Sequence, residues 1–222
     1  MKIGVMDSGI GGIKVLEEIE RNFCGHDFVY AFDKTGLPYG NKSREEIEER
    51  VFRVCDFLLS KNVDVIIIAC NTASCVALDD CKNRYNVPVF GLIPPIKSLS
   101  NLSYKKILVL TTNLTAKMLY SKYNHDTNKN IIIAPQINLA SIIEKNLNNK
   151  RVINDYIENE MTKYIGCDCV FLGCTHYYYI KNRLASFLNV DVLDGRKELI
   201  CNLKQFINIA VKKNSYTEFY YL

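Results

Sequence analysis

Two cysteines, Cys70 and Cys174, each follow a short apolar run and precede a cluster of polar residues. If both thiols faced one bound molecule from opposite sides, they could invert a stereocentre that bears an acidic hydrogen. One thiolate would remove the proton from one face, and one thiol would deliver a proton to the other. Asp7 and His176 are the candidates for exchanging protons with these thiols, although His176 could equally be a structural hydrogen-bonding group.

The runs before these cysteines predict buried parallel strands, because neither run alternates apolar and polar residues. The two cysteines are 104 residues apart, and the same offset relates residues 2–7 to residues 106–111. A repeat at fixed spacing indicates duplicated architecture. We therefore predict an α/β fold of two pseudo-symmetric domains, each a mostly parallel sheet flanked by helices. The active site is expected in the cleft between them, at the carboxyl ends of the strands.

Two prolines mark the predicted crossing between these domains. Pro94 and Pro95 each fix the backbone and remove a hydrogen-bond donor, which suits a stiff connection. We predict that residues 1–94 plus 197–222 form the first domain and that residues 95–196 form the second.

Three polar or terminal segments complete the predicted organisation. Residues 198–211 are expected to form one amphipathic helix that returns to the first domain, and residues 212–222 to form a loose aromatic tail. The polar run 124–130 predicts a surface loop, in which His125 is solvated.

The composition indicates a globular chain without a membrane span. The chain has 222 residues, of which 48% are hydrophobic, and a net charge of +4 with basic and acidic residues interleaved. This interleaving argues against a nucleic-acid surface, and no stretch approaches the roughly 20 apolar residues that cross a bilayer. Met1 runs directly into a predicted strand, which leaves no room for a signal peptide. We therefore expect a cytoplasmic protein that binds neither nucleic acid nor membrane.

The remaining cysteines do not suggest a disulfide framework or a metal site. There are nine in all, an odd number at irregular spacings, and we expect them to be reduced. Cys167, Cys169, Cys174 and His176 are residue types that bind zinc. A strand would turn the first two to one face, however, with Cys174 beyond its end. No Cys-x-x-Cys pair is present, so we expect neither a metal nor a redox centre.

Two loops leave alternatives open. The glycine-rich loop 9–12 joins a strand that ends near Asp7 to a helix, so its N–H groups could bind a phosphate or a carboxylate. It matches neither the Walker nor the dinucleotide-binding pattern. Asp7 could be a helix N-cap or a chemical group. The sequence Pro38-Tyr39-Gly40 could be an ordinary turn or part of a site.

Four motifs of the chain resemble those of the cofactor-independent aspartate/glutamate racemase family. In order, they are Asp7-Ser8-Gly9 with glycines up to Gly12, Pro38-Tyr39-Gly40, Cys70-Asn71-Thr72-Ala73-Ser74 and Gly173-Cys174-Thr175-His176-Tyr177. Ser74 and His176 favour the glutamate branch of this family, and the alternative is a racemase of aspartate or one of broad amino-acid specificity. The resemblance implies interconversion of L- and D-glutamate without pyridoxal phosphate, metal or nucleotide. It also implies that the D-glutamate enters peptidoglycan synthesis in the cell wall.

The same resemblance implies a role for each site residue. Cys70 would act on the D-enantiomer and Cys174 on the L-enantiomer. Asp7 and His176 would assist their respective thiols, with Glu144 as a further helper. The residues implied to contact the substrate are Asp7, Ser8, Pro38, Tyr39, Gly40, Asn71, Thr72, Thr175 and His176. A homodimer is a further implication.

The chain departs from the family pattern in two places. Tyr178-Tyr179 stands where Pro-Leu is usual, and the region 121–130 is shorter than in typical members. A non-enzymatic alternative is a two-lobed amino-acid-binding module. Such a module would have the same cleft but would not need a thiol on each face.

Overall fold

The chain forms two parallel sheets flanked by helices, as a computed structural model shows for residues 1–123, 130–207 and 215–222. This confirms the predicted α/β class. The strands are β1 Lys2–Asp7, β2 Asp27–Phe32, β3 Val65–Ile68, β4 Val89–Gly91, β5 Ile107–Thr111, β6 Ile131–Pro135, β7 Cys169–Gly173, β8 Asp191–Asp194 and β9 Thr217–Tyr221. The α-helices are α1 Ile13–Asn22, α2 Arg44–Ser60, α3 Asn71–Arg84, α4 Ile96–Ser100, α5 Asn113–Tyr123, α6 Leu139–Asn146, α7 Lys150–Met161, α8 Lys181–Leu188 and α9 Arg196–Lys204. Short 3-10 turns cover Ile10–Gly12, Lys34–Gly36, Tyr39–Asn41, Thr162–Tyr164 and Thr175–Ile180.

The strand order confirms the predicted internal repeat. The first sheet has the order β4-β3-β1-β2-β9, and the second has the order β6-β5-β7-β8. Read from its β8 edge, the second sheet repeats the order of the first four strands of the first sheet. All neighbouring strands are parallel. The first half of the molecule is the part built around the first sheet, and the second half is the part built around the second sheet. Each half therefore presents the carboxyl ends of its strands along one edge.

The same backbone contact fixes the start of each half. The Lys2 N–H donates to the Asp64 carboxylate at 2.7 Å, and the Lys106 N–H donates to the Asp168 carboxylate at 2.8 Å. Both acidic residues lie just before a cysteine strand, β3 or β7. The repeat therefore extends from strand order to individual hydrogen bonds.

The two cysteine strands lie in the interior of their sheets, each beside an edge strand. Every residue of β3 and of β7 is buried. Burial on both faces explains why their sequences do not alternate between apolar and polar residues. Cys70 and Cys174 follow these strands, so each thiol is held at the end of a rigid element.

The predictions for the C-terminal segment are partly wrong. Residues 217–221 are not a loose tail, because they form β9, which pairs with β2 at the edge of the first sheet. The predicted helix 198–211 is also too long, since α9 ends at Lys204. The predicted loop 124–130, including His125, lies outside the described residues except for Asn130.

The structure also shows the state of the cysteines and the character of the helices, for which the sequence predicted reduced thiols and no membrane span. All nine cysteines are free thiols. None of the helices within the described ranges has both the length and the apolar character to cross a membrane.

Candidate active site

Both thiols face one narrow cavity, although they follow strands of different sheets. Cys70 and Cys174 are 5% and 6% exposed, and both line the cavity between the halves. Eight of the residues singled out in the sequence line it, namely Ser8, Pro38, Tyr39, Gly40, Cys70, Thr72, Cys174 and His176. Both thiols therefore belong to the wall of one cavity.

Cys70 is held by hydroxyl and backbone groups. It is the N-cap residue of α3, and the N–H of Ala73 points to its sulfur atom. The Ser8 hydroxyl lies 3.5 Å from the same sulfur. Burial and the nearby Asp7 carboxylate raise the pKa of Cys70 to about 12, against the lowering effect of the Ala73 N–H and the Ser8 hydroxyl. In the free protein Cys70 is therefore a thiol.

Asp7 is fully buried, and its charge acts on this thiol. Its carboxylate accepts from the Gly9 N–H at 2.9 Å and from the Thr175 hydroxyl at 3.1 Å. Burial raises the pKa of Asp7 to about 6, although protonated His176 and the two hydrogen bonds lower it. Asp7 does not cap α1, whose N-cap is Gly12. A carboxyl with this pKa can take up and release a proton near neutral pH.

Cys174 has a charged neighbour in place of a hydroxyl. The Nδ1 atom of His176 lies 3.9 Å from its sulfur, and Nε2 lies 2.6 Å from the Glu144 carboxylate. Burial lowers the pKa of His176, but Cys174 and Glu144 outweigh it and raise the pKa to about 10. His176 is therefore an imidazolium at neutral pH. Its positive charge stabilises negative charge on the sulfur of Cys174.

Three further residues singled out in the sequence are Asn71, Thr72 and Thr175, of which only Thr72 lines the cavity. The Asn71 amide donates to the Leu92 carbonyl at 2.9 Å, and its oxygen has no hydrogen-bond partner among the described residues. The Thr72 hydroxyl lies 3.0 Å from that of Thr112 in the other half. Thr72 and Thr112 therefore offer hydroxyl groups from both halves to a bound molecule.

The Pro38-Tyr39-Gly40 turn belongs to the cavity wall. The Tyr39 hydroxyl donates to buried Asp33 at 3.0 Å, and Asp33 is also paired with Arg50 at 2.9 Å. A Cβ on Gly40 would lie 2.6 Å from the Cβ of Thr112, so only glycine allows the halves to approach this closely. The turn therefore brings its residues against the second half.

Sequence reasoning missed five residues of the lining, namely Leu37, Asn41, Thr112, Ile137 and Ala140. Thr112 could have been found, because it follows Ser8 by the repeat offset of 104 residues. Leu37, Ile137 and Ala140 are apolar, and nothing in their local sequence separates them from core residues. Asp33, which binds the Tyr39 hydroxyl, was also not singled out.

Glu144, which the sequence analysis also singled out, does not line the cavity. The same oxygen that binds His176 also accepts a hydrogen bond from the Ile10 N–H of the first half, at 3.2 Å.

Cys167 and Cys169 lie at the opposite end of β7 from Cys174. Among the described residues, no group of three or more histidine, cysteine or acidic side chains is placed to hold a metal ion.

Comparison with known proteins gives consistent matches over the whole chain. A curated glutamate racemase from Clostridium kluyveri is 35% identical over 224 aligned positions, which cover 96% of this chain and 86% of the relative. The crystal structure of a glutamate racemase isoform from Bacillus anthracis has a TM-score of 0.87 and 27% identity, and covers 99% of this chain and 87% of that one.

A third match includes a bound ligand. The glutamate racemase from Francisella tularensis, solved in complex with D-glutamate, has a TM-score of 0.85 and 28% identity, and covers 99% of this chain and 87% of that one. Residues 3–201 match the family described as Asp/Glu/Hydantoin racemase. This match includes both cysteines and most of the cavity, and the chain therefore belongs to the Asp/Glu/hydantoin racemase family.

Proposed function

We propose that the chain is a glutamate racemase, an isomerase that interconverts L- and D-glutamate with two cysteines. The observation that carries the proposal is the single cavity lined by Cys70 and Cys174, which differ in their charged neighbours. Racemisation needs a base and an acid on opposite faces of one carbon atom. Curated and solved relatives that bear the name glutamate racemase support the choice of reaction and substrate.

In the direction from L-glutamate, Cys174 acts as the base. Its thiolate, stabilised by the His176 imidazolium, removes the proton from Cα and becomes a thiol. The bonding electrons stay on the substrate as a carbanion, delocalised into its carboxylate. The Cys70 thiol then delivers a proton to the opposite face and becomes a thiolate. The D to L direction follows the same steps in reverse order.

The intermediate needs stabilisation, because a thiolate is a weak base for an unactivated amino acid. Preorganised hydrogen-bond donors aimed at the developing negative charge supply this effect in enclosed sites. The N-terminus of α3 directly follows Cys70, and the Thr72 hydroxyl lines the cavity. We assign the binding of the substrate to Asp7, Ser8, Pro38, Tyr39, Gly40, Asn71, Thr72, Thr175 and His176.

Each sulfur atom must return to its starting protonation state between turnovers. Asp7, with a pKa of about 6, can exchange protons on the Cys70 side, and His176 can do so on the Cys174 side. Glu144 holds His176 in its orientation at 2.6 Å. We therefore assign Asp7, His176 and Glu144 to proton management around the two cysteines.

The proposal extends to the setting of the enzyme. We place it in the cytoplasm, where nine free thiols persist because the compartment is reducing. By its resemblance to the family we assign it a homodimeric state and the supply of D-glutamate to the cell wall. Its domains are proposed to be residues 1–94 with 197–222, and residues 95–196, with the cavity between them.

The test follows the Cα hydrogen. Wild-type protein in deuterium oxide is incubated with each enantiomer of glutamate and of aspartate, without added cofactor, and exchange and inversion are followed by NMR and polarimetry. We expect exchange and racemisation of glutamate, and loss of racemisation in both Cys70→Ala and Cys174→Ala. A wild type that binds one of these amino acids but leaves its Cα hydrogen in place would make the chain a binding module. Preferential racemisation of aspartate would replace the substrate.

A further inference from the structure

The loop that follows Asp7 and Ser8 is bound by the other half of the molecule at Ile10. The backbone N–H of Ile10 donates to Glu144 at 3.2 Å, and its carbonyl accepts from the Tyr179 hydroxyl at 3.0 Å. Both backbone polar groups of Ile10 are thus bound by the second half. Glu144 already has a place in the proposed mechanism, whereas Tyr179 has none.

Tyr179 lies in the turn that begins directly after Cys174. This turn, Thr175–Ile180, also contains His176. Its contact with Ile10 therefore joins two short segments, one holding the groups around Cys70 and the other holding the groups around Cys174. The ring of Tyr179 is half-buried, and the Lys14 ammonium lies 5.4 Å from the ring centroid. These contacts hold the ring over the loop.

The loop is close enough to the second half for small displacements to matter. A Cβ on Gly11 would lie 2.4 Å from the Thr175 hydroxyl oxygen and 2.7 Å from the backbone nitrogen of His176. The Thr175 hydroxyl also donates to Asp7 across the same boundary. A shift of the loop would therefore change the placement of Asp7 and Ser8 relative to Cys174 and His176. Misplacement of reacting groups by about 1 Å can slow a reaction by about a hundredfold.

We propose that Tyr179 is a positioning residue, whose hydroxyl bond to the Ile10 carbonyl aligns the two cysteine half-sites across the substrate. The inference rests on the proposed racemase function. Tyr179 affects alignment, because it does not line the cavity.

The chain offers a matched control in the neighbouring tyrosine. The Tyr178 hydroxyl is buried and has no hydrogen-bond partner among the described residues. Tyr179→Phe and Tyr178→Phe each remove one oxygen atom from adjacent residues of the same turn. Only the first breaks a contact between the halves.

The experiment compares kcat and KM for both glutamate enantiomers in the wild type and the two variants. We expect kcat of Tyr179→Phe to fall about three- to tenfold, which corresponds to one net hydrogen bond, with KM changed less than about twofold. Tyr178→Phe is expected to match the wild type. Unchanged kcat in Tyr179→Phe, a change in KM alone, or an equal loss in both variants would overturn the proposal. Tyr179→Leu should lose no more than Tyr179→Phe, and a loss confined to the leucine variant would assign the effect to the ring.

A second measurement does not depend on the reaction. Amide hydrogen exchange of residues 10–12 in ligand-free protein should be several-fold faster in Tyr179→Phe than in the wild type or in Tyr178→Phe. Equal exchange in all three proteins would show that the hydroxyl does not hold the loop. If the wild type racemises nothing, the proposed function fails, and this comparison still decides whether Tyr179 positions the loop.

Discussion

The surroundings of Cys70 and Cys174 differ in charge although their backbones repeat. Each cysteine follows a buried interior strand, and each half begins with the same lysine-to-aspartate contact. Around Cys70, however, the sulfur meets the Ser8 hydroxyl. Around Cys174 it meets an imidazolium that is itself paired with a carboxylate. The scaffold supplies two equivalent positions, and the side chains make them chemically different.

This difference sets the charge beside each sulfur atom. Burial keeps Cys70 as a thiol at neutral pH, whereas the cationic ring of His176 lies 3.9 Å from the sulfur of Cys174. Proton transfer at the two sulfur atoms is therefore expected to differ in rate. Because enantiomers have equal free energies in water, kcat/KM must remain equal in both directions. The asymmetry can appear in kcat and KM, which must differ by the same factor, in the pH dependence of kcat and in isotope effects.

Removal of the imidazolium should break the comparison most strongly. We expect His176→Gln to lower kcat about 10²- to 10⁴-fold, the usual contribution of a group that manages a proton. In the wild type, kcat/KM should fall as the pH rises through about 10, because His176 then loses its proton. This alkaline limb should be absent from the residual rate of the variant. His26→Gln, which removes another buried histidine outside the cavity, controls for loss of a buried ring.

Glu144→Gln should weaken the same side to a smaller extent. The charged hydrogen bond to His176 contributes about 1.5–3 kcal/mol, so we expect kcat to fall roughly ten- to hundredfold. The pKa of His176 should also fall, which moves the alkaline limb to lower pH. Because both side chains act through Cys174, the double variant Glu144→Gln/His176→Gln should be no slower than His176→Gln alone. Additive losses would show that Glu144 acts elsewhere.

Asp7→Asn should stabilise the fold while it lowers activity. The folded-state pKa of Asp7, about 6, exceeds the ordinary value of 3.8, so the folded chain binds this proton more tightly than the unfolded chain. The associated stability is present below about pH 4 and is lost as the pH rises through 6. Urea unfolding should show the variant to be about 1–3 kcal/mol more stable at pH 7, and the gain should shrink toward pH 4.

Asp33 provides the opposite case for that measurement. Its burial would raise its pKa, but hydrogen bonds from Arg50, Thr35 and Tyr39 outweigh burial and lower it. Asp33→Asn should therefore destabilise the protein at pH 7. If the two asparagine variants changed the stability in the same direction, the assigned environment of Asp7 would be wrong.

Ser8→Ala should give the smallest effect and the sharpest distinction between the halves. Loss of the hydroxyl beside Cys70 should lower kcat about two- to tenfold. Because it slows proton transfer at Cys70 alone, the primary isotope effect with Cα-deuterated D-glutamate should rise. With Cα-deuterated L-glutamate it should not rise, because that proton goes to Cys174. Equal increases for both enantiomers would contradict the assignment of one thiol to each face.

The parallel strands and the position of both thiols at their ends could be predicted because they depend on local sequence. Fully apolar runs that end in Cys70 and Cys174 indicate buried parallel strands, and the fixed offset links them. The aromatic residues 217–221 suit a strand equally well. Their pairing with β2 was missed because that partner is nearly 190 residues away in the chain.

The electrostatic differences between the half-sites could not be read from the sequence. The pairing of His176 with Glu144 crosses 32 residues, and the raised pKa of Asp7 results from burial by both halves. The apolar lining at Leu37, Ile137 and Ala140 depends on how the halves meet. Such features arise from tertiary packing, and no local pattern encodes them.

The repeat also has a consequence for handedness. Two copies of one fold built from L-amino acids can be superimposed by rotation, but never by reflection. The two faces of a planar carbanion are mirror images, and a rotation that exchanges them also exchanges substituents within the plane. Identical half-sites would therefore hold the carboxylate correctly from one side and offer the same contacts to a different group from the other.

The sequence departs from the repeat at the positions where those substituents would be held. Ser8 corresponds to Thr112, Asn71 to Thr175 and Thr72 to His176, whereas cysteine occupies both thiol positions. A reaction that is symmetric between mirror images thus requires a site whose parts are unequal. Divergence of the two copies is in this sense a geometric requirement of acting on both hands of one molecule.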